Sequence, residues 1–106
     1  MDGPGGSVSL DAACSTLRAM GELGQDEERQ FEAALRGLTA GSGSDPVIDL
    51  SGATYVSSSY VRFIATAMVE ASKGGHTLVV RARKRVARLL SMGGLDKLGR
   101  VEVVGD

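Results

Sequence analysis

Short apolar runs alternate with segments of helical spacing along most of this chain. The run Val47–Leu50 is bounded by turn residues, and apolar residues at helical spacing follow it from Val61 and Ile64 onward. The run Leu78–Val80 is followed in the same way by a helical pattern that includes Val86. Because strands that alternate with helices usually form parallel pairs, this pattern predicts an α/β fold with a largely parallel sheet.

Two features near the start of the chain complete the predicted fold. Ser7–Asp11 and Cys14–Met20 alternate like short strands and predict an antiparallel hairpin, which Gly21–Gly24 is expected to end. An acidic first turn at Asp26–Glu28 and apolar residues at i, i+3, i+4 and i+7 from Phe31 predict the first helix. The remaining predicted elements are a loop at Gly41–Pro46, a strand at Val47–Leu50, a helix at about Ser59–Ser72, a strand at His76–Arg81, a helix near residues 83–92 that Gly93–Gly94 ends, and a strand at Val101–Val104. The order β-β-α-β-α-β-α-β predicts a mixed, mostly parallel sheet with an N-terminal antiparallel hairpin and helices packed against it.

The length and the charge exclude several classes of protein. A chain of 106 residues forms one small domain, predicted to span residues 7–106 after a flexible lead of residues 1–6. The formal net charge of −1 argues against a general nucleic-acid binder. No apolar run approaches the roughly 20 residues of a membrane span.

The single cysteine, Cys14, allows no internal disulfide, which favours the reducing cytoplasm. Its place in a strand pattern predicts that Cys14 is a small buried apolar group.

Residue types suited to catalysis are scarce. The single histidine, His76, follows two glycines at a predicted strand start, where an exposed or edge position is expected. One histidine and one cysteine supply neither a Cys/His metal cluster nor a Cys-containing catalytic group. A set of Ser58, His76 and Asp49 is the kind of combination that a chain rich in Ser and Asp offers by chance. The sequence therefore predicts a protein that is not an enzyme and requires no cofactor.

One run of the chain is strongly basic. Five positive charges fall within eight residues, at Arg81, Arg83, Lys84, Arg85 and Arg88. A solvated helix face is the simplest interpretation. The alternative interpretation is a contact surface for an acidic partner, for lipid headgroups or for phosphate. No aromatic residue lies among these charges, so stacking on nucleic-acid bases is not supported.

Three consecutive serines, Ser57–Ser59, stand between the strand at Val47–Leu50 and the second predicted helix. One serine that caps the helix would stabilise it by about 1 kcal/mol, but one cap accounts for only one of the three. The other interpretation is a phosphorylation site. Unpaired backbone N–H groups and the positive end of the helix dipole tolerate a phosphate there, so its main effect would fall on a docking protein. Spacing alone does not choose between the two interpretations.

The order and spacing of several short motifs resemble the STAS domain family, and within it the bacterial anti-sigma factor antagonists. The resemblance extends from about Ser7 to Val104. It rests on Gly21–Leu23 before the first helix, Val47–Gly52, Tyr55–Val56 before the serines, Gly74–Gly75, and Arg85–Leu90 with Gly93–Leu98. It implies a STAS-like fold.

The resemblance also implies roles for the residues of the serine junction. Ser57 takes the place often held by aspartate in the family, and Ser58 takes that of the serine which a partner kinase phosphorylates. Ser59 corresponds to the second small residue, and these three with Tyr60 and Arg62 form the expected partner-binding set. Tyr60 stands where the family usually has glycine, so a bulky side chain is expected beside the acceptor, where it would alter how a partner fits or weaken the access of the kinase.

The family implies a partner-switching module. The unphosphorylated chain would bind an anti-sigma factor that is a GHKL-type serine kinase and so free a sigma factor. Phosphate on Ser58 would block docking, and a serine phosphatase would reset the switch. ATP and Mg²⁺ would belong to the kinase, and the chain itself is expected to be a monomer or a weak dimer. The alternatives are a STAS subunit of a phospholipid-trafficking ABC transporter that docks on the ATPase without phosphorylation, and a scaffold in a larger signalling assembly.

Overall fold

The computed structural model describes residues 6–11, 13–40 and 45–105, and the elements in these ranges follow the predicted alternation. Most of the lead at residues 1–6, Ala12, residues 41–44 of the predicted loop and Asp106 lie outside the described residues. The elements are β1 Ser7–Asp11, β2 Thr16–Leu23, a 3-10 turn Gln25–Glu27, α1 Glu28–Ala40, β3 Val47–Leu50, β4 Ala53–Val56, α2 Ser58–Lys73, β5 Val79–Ala82, α3 Lys84–Met92, α4 Leu95–Leu98 and β6 Arg100–Val103.

The strands form one mixed sheet in the order β1-β2-β3-β5-β6, and β4 pairs with β2. β1 and β2 are antiparallel, whereas β2, β3, β5 and β6 are parallel to one another. α1, α3 and α4 contact the strands, and α2 contacts α1 and α4 and contributes its buried residues to the same core, as the α/β interpretation requires. The predicted fold class, with its N-terminal hairpin and mostly parallel sheet, is therefore confirmed.

The second strand runs further than the sequence pattern indicated. The prediction that Gly21–Gly24 ends the strand is wrong, because β2 continues to Leu23. Gly21 has a φ of 80°, a conformation that favours glycine, and the register of β2 against β4 shifts between Gly21 and Glu22. The N–H of Gly21 donates to the carbonyl of Gly52 at 2.9 Å. A bulge thus lets one strand pair first with β3 and then with β4.

Two elements were absent from the predicted order. β4 follows β3 after only two residues, Ser51 and Gly52, so the sequence pattern did not distinguish this strand from a turn. α4 is a separate helix rather than the end of α3, because Gly94, with a φ of 84°, turns the chain between them. The strand predicted at His76–Arg81 is shorter, and β5 is Val79–Ala82.

Cys14 is exposed, which corrects the expectation of a buried apolar group. It lies in the turn between β1 and β2 rather than in a strand. The Asp11 carboxylate shapes that turn, since its Oδ1 accepts hydrogen bonds from the N–H groups of Ala13 and Cys14 at 3.1 and 3.3 Å. The turn therefore directs Cys14 away from the core.

The two faces of the sheet carry different residues. The face under the helices is apolar, and Leu17, Ile48 and Val80 are paired across neighbouring strands and fully buried. The other face carries a row of alternating charge in register across four strands, Arg18, Asp49, Arg81 and Glu102. Arg18 pairs with Asp49 at 3.4 Å and Arg81 with Glu102 at 3.2 Å. No helix in the described ranges is long and apolar enough to cross a membrane.

Candidate functional site

The turn between β3 and β4 leads the chain to the serine junction. Oδ1 of Asp49 accepts hydrogen bonds from the N–H of Ser51 at 3.0 Å and from its hydroxyl at 2.6 Å. Partial burial raises the pKa of Asp49, but these two bonds and the Arg18 guanidinium outweigh it, so the pKa is lowered. The carbonyl of Ser51 accepts a hydrogen bond from Arg83 Nε at 2.9 Å. A charged Asp49 thus shapes the turn, and Arg83 joins it to the start of α3.

The serine junction itself is fixed by backbone hydrogen bonds. The N–H of Ser57 donates to the carbonyl of Leu23 at 3.1 Å, and the carbonyl of Ser57 accepts the N–H of Tyr60 at 3.1 Å. Ser57 is the N-cap residue, with extended backbone angles, and α2 begins at Ser58 rather than at Ser59. The Ser57 hydroxyl makes no capping bond and donates instead to a carboxylate oxygen of Glu28 at 3.4 Å. The simple expectation of a serine side-chain cap is therefore not met at this residue.

Tyr60 points into the core, which corrects the expectation of bulk beside the acceptor. Its side chain is 0% exposed. The ring lies 4.7 Å from that of Phe31 and 5.9 Å from that of Phe63, measured between centroids. The hydroxyl donates to the carbonyl of Gly24 at 2.9 Å, and the N–H of Gly24 is held by the Glu27 carboxylate at 2.9 Å. Tyr60 therefore ties the first turn of α2 to the segment that begins α1, and its side chain is not part of the outer surface.

The remaining predicted site residues differ in their exposure. Ser58 and Arg62 are exposed, whereas Ser57 and Ser59 are half-buried. Ser58 and Arg62 are four residues apart on α2, so they are neighbours on the same helix face. Arg62 forms no ion pair with any other described residue. Of the three serines, Ser58 offers the most accessible hydroxyl, with a cation one turn away.

The sequence contained a signal for the true orientation of α2. The buried residues of this helix are Tyr60, Ile64, Ala67, Met68 and Ala71. They recur at i, i+4, i+7, i+8 and i+11, which is one helix face. The prediction took Val61 as the first residue of the buried face. This choice rotates the predicted face by one residue and places the side chain of Tyr60 on the surface.

His76 and the serine junction lie at opposite ends of the parallel strands. His76 precedes β5, whose first residue pairs with Val47, the first residue of β3. Its Nδ1 lies 3.2 Å from the Asp45 carboxylate. The serine junction instead follows the carboxyl end of β4. The structure therefore does not bring Ser58, His76 and Asp49 together as a catalytic set.

We expect the stability that Tyr60 contributes to decline above pH 10. In the folded protein, burial and then the charges of Glu27 and Glu28 raise the pKa of the Tyr60 phenol. In the unfolded chain the phenol ionises near its ordinary pKa of about 10. The contribution is therefore complete below pH 10, and above it stability falls by up to about 1.4 kcal/mol per pH unit. Urea unfolding of the wild type and of Tyr60→Phe across this range measures the difference.

The control for this measurement is Tyr55→Phe, because the Tyr55 side chain is 55% exposed. It should leave the alkaline slope of the wild type unchanged. Equal slopes for the wild type and Tyr60→Phe would contradict the prediction, since every other titrating group is common to both proteins.

Comparisons with known proteins identify the family and the fold of this chain. The family model described as "Mlab, STAS domain" matches residues 7–104. SiaC of Pseudomonas aeruginosa has a similar structure, with a TM-score of 0.69 and 18% identity over 95% of this chain and 90% of that chain. A second structure, apo-SiaC from Pseudomonas aeruginosa, gives a TM-score of 0.67 and 17% identity over 92% and 88% of the two chains. A search of curated proteins found no match. At these identities the likeness to SiaC shows the shared fold, and the family match over nearly the whole chain shows that this protein belongs to the STAS domain family.

Proposed function

We propose that this protein is an anti-sigma factor antagonist that acts as a partner-switching module. Unphosphorylated, it would bind an anti-sigma factor that is also a GHKL-type serine kinase, and phosphorylation of Ser58 would release it. The observation that carries this proposal is the exposure of Ser58 as the first residue of α2, on a junction anchored through Ser57 and Tyr60.

The charges near Ser58 suit a switch that acts on the partner rather than on the fold. A phosphoserine carries roughly −1.5 to −2 charges at neutral pH. The start of α2 and the Arg62 guanidinium would partly offset this charge within the domain. A partner docked on the same surface would lose affinity through repulsion and desolvation of the phosphate. The switch would therefore leave the domain folded and change only its binding.

In this proposal the chain supplies a docking surface and no chemistry. ATP and Mg²⁺ would be bound by the kinase, and a serine phosphatase would remove the phosphate. Ser57, Ser59 and Arg62 would border the contact with the partner. Tyr60 would act from the core by fixing the junction. The protein would work in the cytoplasm as a monomer or a weak dimer.

One observation favours the alternative, a STAS subunit of a phospholipid-trafficking ABC transporter. A carboxylate oxygen of Glu28 lies 3.4 Å from the Ser57 hydroxyl. A negative charge so near the junction opposes a phosphate on the next residue. In the alternative, the same junction would dock on the transporter ATPase and would need no phosphorylation.

Intact-mass analysis of the protein purified from its native host tests the proposal. We expect a fraction of the wild type to carry the mass of one phosphoryl group, and Ser58→Ala to carry none. Ser57→Ala and Ser59→Ala are the matched controls and should retain it. A phosphoryl group that persists in Ser58→Ala would contradict the choice of Ser58. An unmodified chain that copurifies with an ABC ATPase would favour the alternative.

A further inference from the structure

A groove of about 260 Å³ runs between β4 and α3. Its exposed apolar residues are Tyr55, Leu89 and Met92, whose side chains are 55%, 37% and 78% exposed. Val56 and Val86, both buried, form its floor. Clustered exposure of large apolar side chains is typical of a protein interaction surface.

Two arginines border the same groove. Arg85 and Arg88 line it and are both exposed. Neither forms an ion pair or a hydrogen bond with another described residue. Positions 85, 88, 89 and 92 recur at i, i+3, i+4 and i+7, so one face of α3 carries both the cations and the exposed apolar residues. This face is separate from the face formed by Val86, Ala87 and Leu90, which is buried in the core.

The groove is continuous with the serine junction. β4 forms one of its walls and ends at Val56, directly before Ser57. At its other wall, α3 is followed by its C-cap residue Gly93, where a Cβ atom would lie 2.6 Å from Cγ1 of Val61. Val61 lies one turn after Ser58 on α2, so a protein that contacts Ser58 can extend into the groove without crossing another element.

The size and composition of the groove indicate its occupant. At about 260 Å³ it is smaller than the roughly 300–1,000 Å³ of small-molecule pockets. Tyrosine, methionine and arginine are the residue types enriched at protein interfaces. An apolar floor bordered by two cations that pair with no other described residue is complementary to a segment that presents apolar side chains flanked by carboxylates. An amphipathic helix presents this combination along one face.

We propose that the groove between β4 and α3 binds an acidic amphipathic helix of the partner protein. Apolar residues of that helix would pack on Tyr55, Leu89 and Met92, and its carboxylates would pair with Arg85 and Arg88. The inference rests on the proposed function, because it describes the chemistry of the partner that docks at Ser58.

The test uses a displayed library of amphipathic helical peptides in which the residues beside an apolar stripe are randomised. We expect selection on the wild-type protein to enrich glutamate and aspartate at those positions. Changes in the NMR signals of Tyr55, Leu89 and Met92 should place the selected peptide in the groove. Failure to enrich acidic peptides, or signal changes confined to other surfaces, would overturn the inference.

Charge reversal supplies the second part of the test. The double variant Arg85→Glu with Arg88→Glu should bind the selected peptide at least about tenfold more weakly and should instead select lysine-bearing peptides. Lys84→Glu, an exposed change of the same kind that does not line the groove, is the matched control and should bind normally. Circular dichroism checks that both variants remain folded. Equal binding by the double variant and the control would overturn the inference.

Two other occupants are separate outcomes of the same experiments. Flotation with phosphatidylglycerol vesicles that depends on Arg85 and Arg88 would assign the groove to a membrane surface, and self-association lost in the double variant would assign it to a second copy. Either result would overturn the inference. Peptide binding in the groove of a protein that is never phosphorylated at Ser58 would instead support the groove and refute the phosphate switch.

Discussion

Replacing Tyr60 by alanine is expected to lower the free energy of unfolding by about 3–5 kcal/mol, the range for removing a large aromatic side chain from a core. The ring is fully buried between Phe31 and Phe63, so its loss leaves a cavity where two aromatic contacts were. The substitution also removes the hydroxyl that donates to the carbonyl of Gly24. Urea denaturation followed by circular dichroism measures the change.

Two further variants separate the parts of this effect. Tyr60→Phe keeps the ring and removes one hydrogen bond, so a loss of about 0.5–1.5 kcal/mol is expected near neutral pH. Tyr55→Ala removes an exposed tyrosine and should alter stability far less. If Tyr60→Ala unfolded at the same urea concentration as the wild type, Tyr60 would not be a core residue.

A permanent negative charge at Ser58 is expected to reduce affinity for the natural partner by at least about a hundredfold. Like charges placed together at an interface cost several kcal/mol, and a carboxylate at this position must also be desolvated when a partner docks. Ser58→Asp should therefore bind weakly, whereas Ser58→Ala should bind as the unmodified protein does. Titration calorimetry with the partner isolated from the host gives both affinities.

Ser58→Asp should have almost no effect on the stability of the fold. Ser58 is exposed and begins α2, where an acidic side chain is favoured by the helix dipole, so the free energy of unfolding should change by less than about 0.5 kcal/mol. Thr66→Asp adds the same charge elsewhere on the exposed surface of α2 and is the matched control. Equal partner affinity for Ser58→Asp and Ser58→Ala would rule out the charge switch.

The sequence predicted the parts of the fold that depend on local pattern. Alternating strands and helices gave the correct class of sheet, and the acidic turn before Phe31 placed the first helix well. β4 was not predicted because it pairs with β2, which lies more than thirty residues earlier in the chain. This pairing depends on the bulge at Gly21. The spacing of apolar residues within one segment does not predict pairing between segments so far apart. Cys14 was misplaced for a similar reason, since the Asp11 carboxylate, and not the apolar pattern, decides where the turn falls.

The start of α2 was predictable from the sequence, and the surroundings of the serine junction were less so. Helix-start chemistry located the serine junction, and family resemblance selected Ser58 within it. The family resemblance also led to a wrong prediction. Because Tyr60 aligns with a glycine that partners approach in the family, its side chain was expected on the surface, whereas it is buried. The hydroxyl of Tyr60 finds its partner at Gly24, far away in sequence, and the rings of Phe31 and Phe63 complete its surroundings. The helical spacing of the buried residues of α2 indicated the burial of Tyr60, but its partners at Gly24, Phe31 and Phe63 follow from tertiary packing.

The one-sided packing of the sheet has a consequence for how this domain can diverge during evolution. Strand residues that face the helices share one core, so a change of volume in one of them disturbs its neighbours. Residues on the outward face, such as Arg18 and Arg81, form exposed pairs worth at most about 1 kcal/mol each. Changes at Arg18 or Arg81 should therefore have little effect on the fold, whereas Asp49 of the same row also forms the turn between β3 and β4. Homologues can therefore keep the same backbone while most of the outward charges change, and two such domains in one cell can differ in charge without differing in architecture.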